Sequence, residues 1–116
     1  MKSRESLVRL KNFQVNEKRR QLNQLQMMMA DFERMIRDLE AQIAFEEKKS
    51  GITDSNHFAY STFAKAARQR ADNLFGSIKE LKVQQDAAEL ALEEAEAEYS
   101  KAAALEERDS AARLRA

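Results

Sequence analysis

Residues 22–43 read LNQLQMMMADFERMIRDLEAQI, and their apolar side chains recur at alternating intervals of three and four residues. This alternation places the apolar side chains on one face of an α-helix, in the stripe that is typical of coiled coils. The pattern extends back toward the N-terminus, where half of its positions are polar. We call the whole set the seam of helix one: Val8, Lys11, Val15, Lys18, Leu22, Leu25, Met29, Phe32, Ile36, Leu39 and Ile43.

A second stripe with the same spacing runs through the C-terminal half of the chain and never slips register. It is richer in alanine than the first stripe, which favours a close approach of two helix axes. We call it the seam of helix two: Ala64, Ala67, Ala71, Leu74, Ile78, Leu81, Gln85, Ala88, Leu92, Ala95, Tyr99 and Ala102.

The two stripes are separated by residues 48–56, KKSGITDSN, the one cluster of turn-forming residues in the sequence. Gly51 suits the left-handed position after a helix end, and Asp54 and Ser61 are candidate N-caps for the next helix. We therefore predict an all-α fold, a long antiparallel two-helix coiled-coil hairpin that forms a single domain over residues 1–116. Helix one is expected at about 3–48, the turn at about 49–56 and helix two at about 57–112, with facing residue numbers that sum to about 107.

The charges support this arrangement, although the net charge of the 116 residues is zero. Residues 1–20 hold seven basic and two acidic residues, whereas residues 86–109 hold nine acidic and two basic ones. An antiparallel hairpin places the two blocks side by side. Their opposite charges then favour antiparallel over parallel pairing of the helices. The basic block could also indicate a nucleic-acid surface. Because its acidic partner would neutralise it and Phe13 is its one aromatic residue, we predict no nucleic-acid partner.

Composition also argues against an enzyme. The chain has no cysteine, its two glycines are isolated, and its one histidine is His57 beside the turn. The acidic pairs lie on predicted solvated helix faces, where nothing would raise a carboxyl pKa. We therefore expect no catalytic residue, metal site or cofactor. No apolar run approaches the roughly 20 residues of a membrane span, so we expect a soluble, cytoplasmic protein without direct membrane insertion.

Two groups of apolar residues do not belong to the seams. Phe58, Tyr60 and Phe63 gather at the turn, where they either close the end of the coil or form an exposed docking site for another protein. Phe75, Val83 and Leu90 form a row on helix two, and several apolar residues of helix one also lie off its seam: Leu7, Leu10, Phe13, Met28 and Met35. Long neighbouring side chains could cover these residues, or a partner or a second copy could contact them.

Three stretches of the sequence resemble the FliJ family of flagellar export proteins in its alphaproteobacterial form. They are MKSRESLVRLKNFQVNEKRRQL at the start, DFERMIRDLEAQI in helix one and, most distinctive, GITDSNHFAYSTFAKAARQRADNL from Gly51 onward. The resemblance implies a chaperone-like component of the type III secretion apparatus that exports proteins during bacterial flagellum biogenesis and so serves motility and chemotaxis. It also implies a two-helix coiled coil that resembles the stalk of a rotary ATPase.

By this resemblance, the partners are the hexameric flagellar export ATPase, the membrane protein of the export gate and export chaperones. The protein would be cytoplasmic and peripherally associated with the inner membrane at the flagellar base. The end that carries both termini would contact the ATPase ring through Arg4, Leu7, Arg9, Leu10, Phe13, Leu105, Arg108, Arg113 and Leu114. The gate or another partner would contact Phe58, Tyr60, Phe63, Phe75, Val83 and Leu90.

Two other functions fit the same sequence. One is a generic coiled-coil scaffold or a homodimeric export chaperone that pairs through the off-seam residues. The other is a nucleic-acid-binding hairpin, which the charge pairing disfavours.

Overall fold

The computed structural model describes residues 2–115, and over this range the chain consists of two helices joined by a loop. Helix α1 spans Lys2–Ser50 and helix α2 spans Thr62–Arg115, with no strand in the described range. The helices are 49 and 54 residues long. The predicted all-α, antiparallel two-helix coiled-coil hairpin is confirmed.

The contacts divide the chain into two compact units. One combines Met1–Leu25 with Gln84–Ala116 and is called the terminal unit; the other is Gln26–Val83 and is called the turn unit. In each unit a segment of α1 packs antiparallel against a segment of α2. The prediction that residues 1–116 form a single domain stays a prediction.

The two seams form the apolar core of both units. Ten apolar side chains are buried among the described residues, and nine of them are seam positions: Val15, Ile36, Ile43, Ala64, Ala67, Ala71, Leu81, Ala95 and Ala102. The remaining seam residues are all half-buried. Five of the six buried positions on α2 are alanines, so the backbone of α2 itself covers the larger side chains of α1.

The first helix ends as the sequence indicates. Gly51 adopts a φ of 73°, the left-handed conformation that glycine reaches at little cost. Its amide donates a hydrogen bond of 2.9 Å to the carbonyl oxygen of Glu47, which closes the last turn of α1. The amide of Ile52 then donates to Ser50 Oγ over 3.2 Å, which turns the chain away from the helix axis.

The second helix begins later than predicted, at Thr62 instead of about residue 57. Two consecutive turns occupy the intervening segment, with His57 N donating to Asp54 O and Tyr60 N donating to His57 O, both over 3.0 Å. Asp54 caps the first turn through a 2.9 Å bond from Asn56 N to Oδ1 and does not cap α2. Ser61 is the N-cap, because its Oγ accepts from Ala64 N over 3.2 Å. The connection is therefore residues 51–61, longer than the predicted 49–56.

Candidate partner-binding surfaces

Among the described residues of the terminal unit, three ion pairs join the helices, and each connects the basic block to the acidic block. Arg4 contacts Asp109 at 2.7 Å, Lys11 contacts Glu98 at 3.0 Å, and Arg19 contacts Glu96 at 3.2 Å. The predicted juxtaposition of the two blocks is confirmed. The residue numbers of these pairs sum to between 109 and 115, whereas the predicted register has facing residues that sum to about 107. The long side chains therefore pair with residues up to about two helical turns from the predicted partner.

The residues predicted to contact an ATPase ring fall into two groups in the terminal unit. Six are exposed to solvent over part or most of their surface: Leu7, Arg9, Leu10, Phe13, Arg108 and Leu114. The others are engaged within the unit. Arg4 is held by Asp109, Arg113 by Glu106 at 3.3 Å, and Leu105 is half-buried. The exposed group is the part of this surface that a partner can reach without breaking an existing contact.

Phe13 stands at the edge of a groove of about 450 Å³ between the two helices of the terminal unit. The groove exists because Ala91 and Ala95 leave little side-chain volume opposite Lys18, a polar seam residue. Carboxylates flank it on both helices. Its complete lining is Phe13, Gln14, Glu17, Lys18, Ala91, Glu94, Ala95 and Glu98.

A carboxylate of the terminal unit is incompletely satisfied. Glu106 Oε1 accepts from Ser110 Oγ over 3.1 Å and from Arg113 over 3.3 Å. Its other oxygen, Oε2, is buried and has no hydrogen-bond partner among the described residues. A buried acceptor without a donor costs about 1–3 kcal/mol, so an added donor at this position would be stabilising.

In the turn unit, three side chains form a closed hydrogen-bonded triangle that ties the two helices together. The hydroxyl of Tyr60 donates to Glu47 Oε2 over 2.7 Å and accepts from Arg68 Nε over 2.8 Å. Arg68 Nη2 also donates to Glu47 Oε2 over 2.7 Å. Next to this triangle, Ser61 Oγ donates to Glu46 over 3.3 Å.

These contacts shift the ionisation of both charged partners toward their charged forms. The pKa of Glu47 is lowered from its ordinary value, first by the hydrogen bond from Arg68 and then by the one from Tyr60. The pKa of Arg68 is raised, first by its bond to the Tyr60 hydroxyl and then by its bond to Glu47. The guanidinium also lies 5.9 Å from the centre of the Tyr60 ring, within the range of a cation–π contact.

The three aromatic residues of the turn have different environments. Tyr60 is only 7% exposed, so it closes the end of the coil and is removed from the surfaces that a partner could contact. Phe58 is 96% exposed and stacks on His57 with ring centroids 4.7 Å apart, and Phe63 is also exposed. The burial of Tyr60 agrees with a coil-closing role for that residue, and the docking interpretation stays a prediction for Phe58 and Phe63.

The row on helix two is exposed at each of its three positions. Phe75 and Val83 belong to the turn unit, where Phe75 lines a groove beside Ile36 and Ile78. Leu90 is exposed in the terminal unit. A further groove of the turn unit, of about 430 Å³, is largely apolar and is lined by Met35, Asp38, Leu39, Arg70, Asn73 and Leu74.

The Glu47–Tyr60–Arg68 triangle was not anticipated from the sequence. Glu47 and Arg68 each directly flank a seam on a mostly solvated helix face, where charged residues usually need no specific partner. The sequence does contain one indication of it. Glu47 and Arg68 have opposite charges on either side of a turn that carries Tyr60, an aromatic residue with a hydroxyl that can bind both.

No group of three or more histidine, aspartate and glutamate side chains within residues 3–115 is arranged to hold a metal ion. In the same range, neither helix has a stretch apolar enough to cross a membrane. Comparisons with protein-family models, curated proteins and solved structures found no match to this chain.

Proposed function

We propose that this chain is a non-enzymatic component of the flagellar type III protein export apparatus. In this role it is a coiled-coil stalk that binds the export ATPase ring, promotes its assembly and activity, and links it to the export gate and to export chaperones. Its site of action would be the cytoplasmic side of the inner membrane at the flagellar base.

The observation that carries the proposal is the set of exposed apolar side chains in the terminal unit. Leu10 and Phe13 are at least half exposed on α1, and Leu114 is 89% exposed near the end of α2. Arg9 and Arg108 are exposed in the same unit. Apolar side chains accompanied by arginine are the composition that protein–protein interfaces favour, and they match the end of the hairpin that the family resemblance assigns to the ring.

The test is to mix the chain with the cognate flagellar export ATPase and to measure ATP turnover and ring assembly. We expect the wild-type chain to increase both ATP turnover and ring assembly. The increase should be several-fold smaller with Phe13→Glu, because a carboxylate cannot enter an apolar contact without a desolvation cost. No effect of the wild-type chain on either measurement would contradict the stalk function.

Phe45→Glu provides a matched control for this substitution. Phe13 and Phe45 are both on α1 and are 61% and 65% exposed, but Phe45 lies in the turn unit, outside the proposed ring contact. The control variant should therefore stimulate the ATPase as well as the wild type does. Equal loss with both variants would indicate a general effect of the added charge and not a ring contact.

A second candidate function, a scaffold or export chaperone that forms homodimers, is favoured by the exposed apolar residues of the turn unit. Phe75 and Val83 are exposed there, as are Met28 and Met35. Sedimentation equilibrium of the wild-type chain and of Phe75→Glu/Val83→Glu distinguishes the two functions. A dimer that this variant dissociates, together with an unchanged ATPase, would favour the chaperone.

A further inference from the structure

Phe58 is the most exposed large apolar residue in the described part of the chain, at 96%. Its loop is nevertheless well held. The backbone amides of Asn56, His57 and Ala59 all donate hydrogen bonds within residues 54–59, and the His57 ring stacks on Phe58. Because the loop is already ordered, presenting this ring to a partner surface costs little conformational entropy.

The exposed charges on the helix ends that flank the loop are mainly positive. Lys48 and Lys49 lie in the last turn of α1, and Lys65 lines the same recess as Phe58. All three lysines are exposed, and no ion pair of theirs occurs among the described residues. The nearby acidic residues are partly neutralised, because Glu47 is paired with Arg68 and Glu46 is half-buried against Ser61. Asp54 is the remaining exposed acidic residue of the loop.

We propose that this loop binds the surface of an anionic lipid bilayer, with the Phe58 ring in the interfacial region and Lys48, Lys49 and Lys65 over the headgroups. An aromatic ring beside lysines is the combination that partitions to lipid interfaces. The contact involves one ring and no helix within the bilayer, and it refines the expectation that the chain has no direct membrane insertion.

A lipid surface fits the loop better than a protein partner does. A stable protein interface buries roughly 800 Å² on each side and needs a cluster of apolar residues at its centre. Beside Phe58 the recess is lined mostly by polar side chains: Ser55, Asn56, His57, Tyr60, Thr62 and Lys65. A bilayer needs no complementary pocket, so a projecting ring and the attraction of nearby lysines for anionic headgroups add to one another and give weak, reversible attachment.

The inference does not rest on the proposed stalk function, because vesicle binding requires no export protein and each can fail alone. The 116 residues contain no tryptophan, so Phe58→Trp introduces a single tryptophan reporter. Its emission should shift to the blue with vesicles of phosphatidylglycerol and phosphatidylcholine but not with phosphatidylcholine alone. Leu90→Trp, at a position that is 56% exposed in the acidic block of the terminal unit, is the matched control and should not shift. Equal shifts at both positions, or no shift at position 58, would overturn the proposal.

Co-sedimentation with the same vesicles tests the lysines. We expect Lys48→Gln/Lys49→Gln to weaken binding by about fivefold for each lysine removed. Lys79→Gln/Lys101→Gln, which removes two exposed lysines elsewhere and changes the net charge equally, should leave binding nearly unchanged. Circular dichroism checks that each variant is helical. Equal losses of vesicle binding in the two double variants would overturn the proposal. It would also be overturned if the chain bound no vesicles but bound a glutamate-rich helical peptide through Phe58, because that result would identify a protein partner.

Discussion

At the scale of single residues, the hydroxyl of Tyr60 is the centre of the contacts that join the two helices next to the loop. It donates to Glu47 and accepts from Arg68, so each helix supplies one charged partner. The ring supplies burial as well, since it is one of the ten buried apolar side chains of the described chain. This residue therefore combines packing and hydrogen bonding in a loop that has few other buried groups.

We predict that Tyr60→Phe lowers the free energy of unfolding by about 1–2 kcal/mol, measured by urea denaturation. The substitution keeps the ring but removes both hydrogen bonds, while the direct pair of Glu47 and Arg68 remains. Tyr99→Phe is the control, because Tyr99 is a half-buried seam residue without a hydroxyl hydrogen bond among the described contacts. A loss of the same size in both variants would mean that the triangle contributes no stability of its own.

The lowered pKa of Glu47 predicts a specific dependence of stability on pH. Its ordinary value is 4.5, and the folded protein holds it below that value, so the unfolded chain binds the proton more readily. The stabilisation is therefore fully present above the ordinary value and is lost as the pH falls through the lowered one. Glu47→Gln should melt at a lower temperature than the wild type at neutral pH, and the difference should shrink on acidification.

Glu40→Gln is the control for this pH series, since Glu40 is exposed and lies seven residues earlier, at the equivalent position on α1. Its melting temperature should stay parallel to that of the wild type across the series. If Glu47→Gln and the wild type instead remain equally far apart at every pH, the carboxylate of Glu47 does not carry the predicted linkage.

At the scale of the helices, the two glycines have opposite effects on stability because one follows the end of a helix and the other lies inside one. Gly51 adopts a positive φ just after α1, whereas Gly76 lies inside α2 with nothing within 4 Å of the position that a Cβ would occupy. We predict that Gly51→Ala lowers the free energy of unfolding by about 1–2 kcal/mol, because the left-handed conformation strains an alanine. Gly76→Ala should raise it by about 0.5–1 kcal/mol, because glycine is a poor helix former.

Thermal unfolding of these two variants, followed by circular dichroism, provides a test in which each is the control for the other. Changes of the same sign would show that the position of Gly51 at the end of α1 does not govern its effect.

The helices also show how far the sequence predicts this structure. Their seams and the conformation of Gly51 follow from spacing and local chemistry, so they could be identified from the sequence alone, whereas the sequence offers both Asp54 and Ser61 as caps of α2. The start of α2 could not be, because residues 57–60 have no helix breaker and the turns that replace the helix depend on backbone bonds to Asp54 and His57. The exposure of Phe58 beside the burial of Tyr60 likewise depends on the direction in which those turns send each side chain.

At the scale of the whole molecule, the net charge of zero includes two blocks of opposite charge, +5 over residues 1–20 and −7 over residues 86–109, which meet in the terminal unit. Lys11 Nζ lies 3.0 Å from Glu98, close enough for a carbodiimide to join them by an amide bond. We predict that this cross-link forms within one chain. In a mixture of isotopically labelled and unlabelled protein, mass spectrometry should then find cross-linked peptides of uniform labelling, whereas mixed labelling would show pairing between chains.

The polar seam residues of the terminal unit have a consequence for motion. Three seam positions of the terminal unit hold polar residues, Lys11, Lys18 and Gln85, whereas every seam position of the turn unit is apolar. Separation of the helices therefore exposes less buried apolar surface in the terminal unit than in the turn unit. Local opening should therefore be more frequent in the terminal unit, and its amide hydrogens should exchange with solvent faster than those around Ile36 and Ala71. A segment that opens readily can adjust the spacing of its helices to a binding partner, whereas the turn unit would keep its shape.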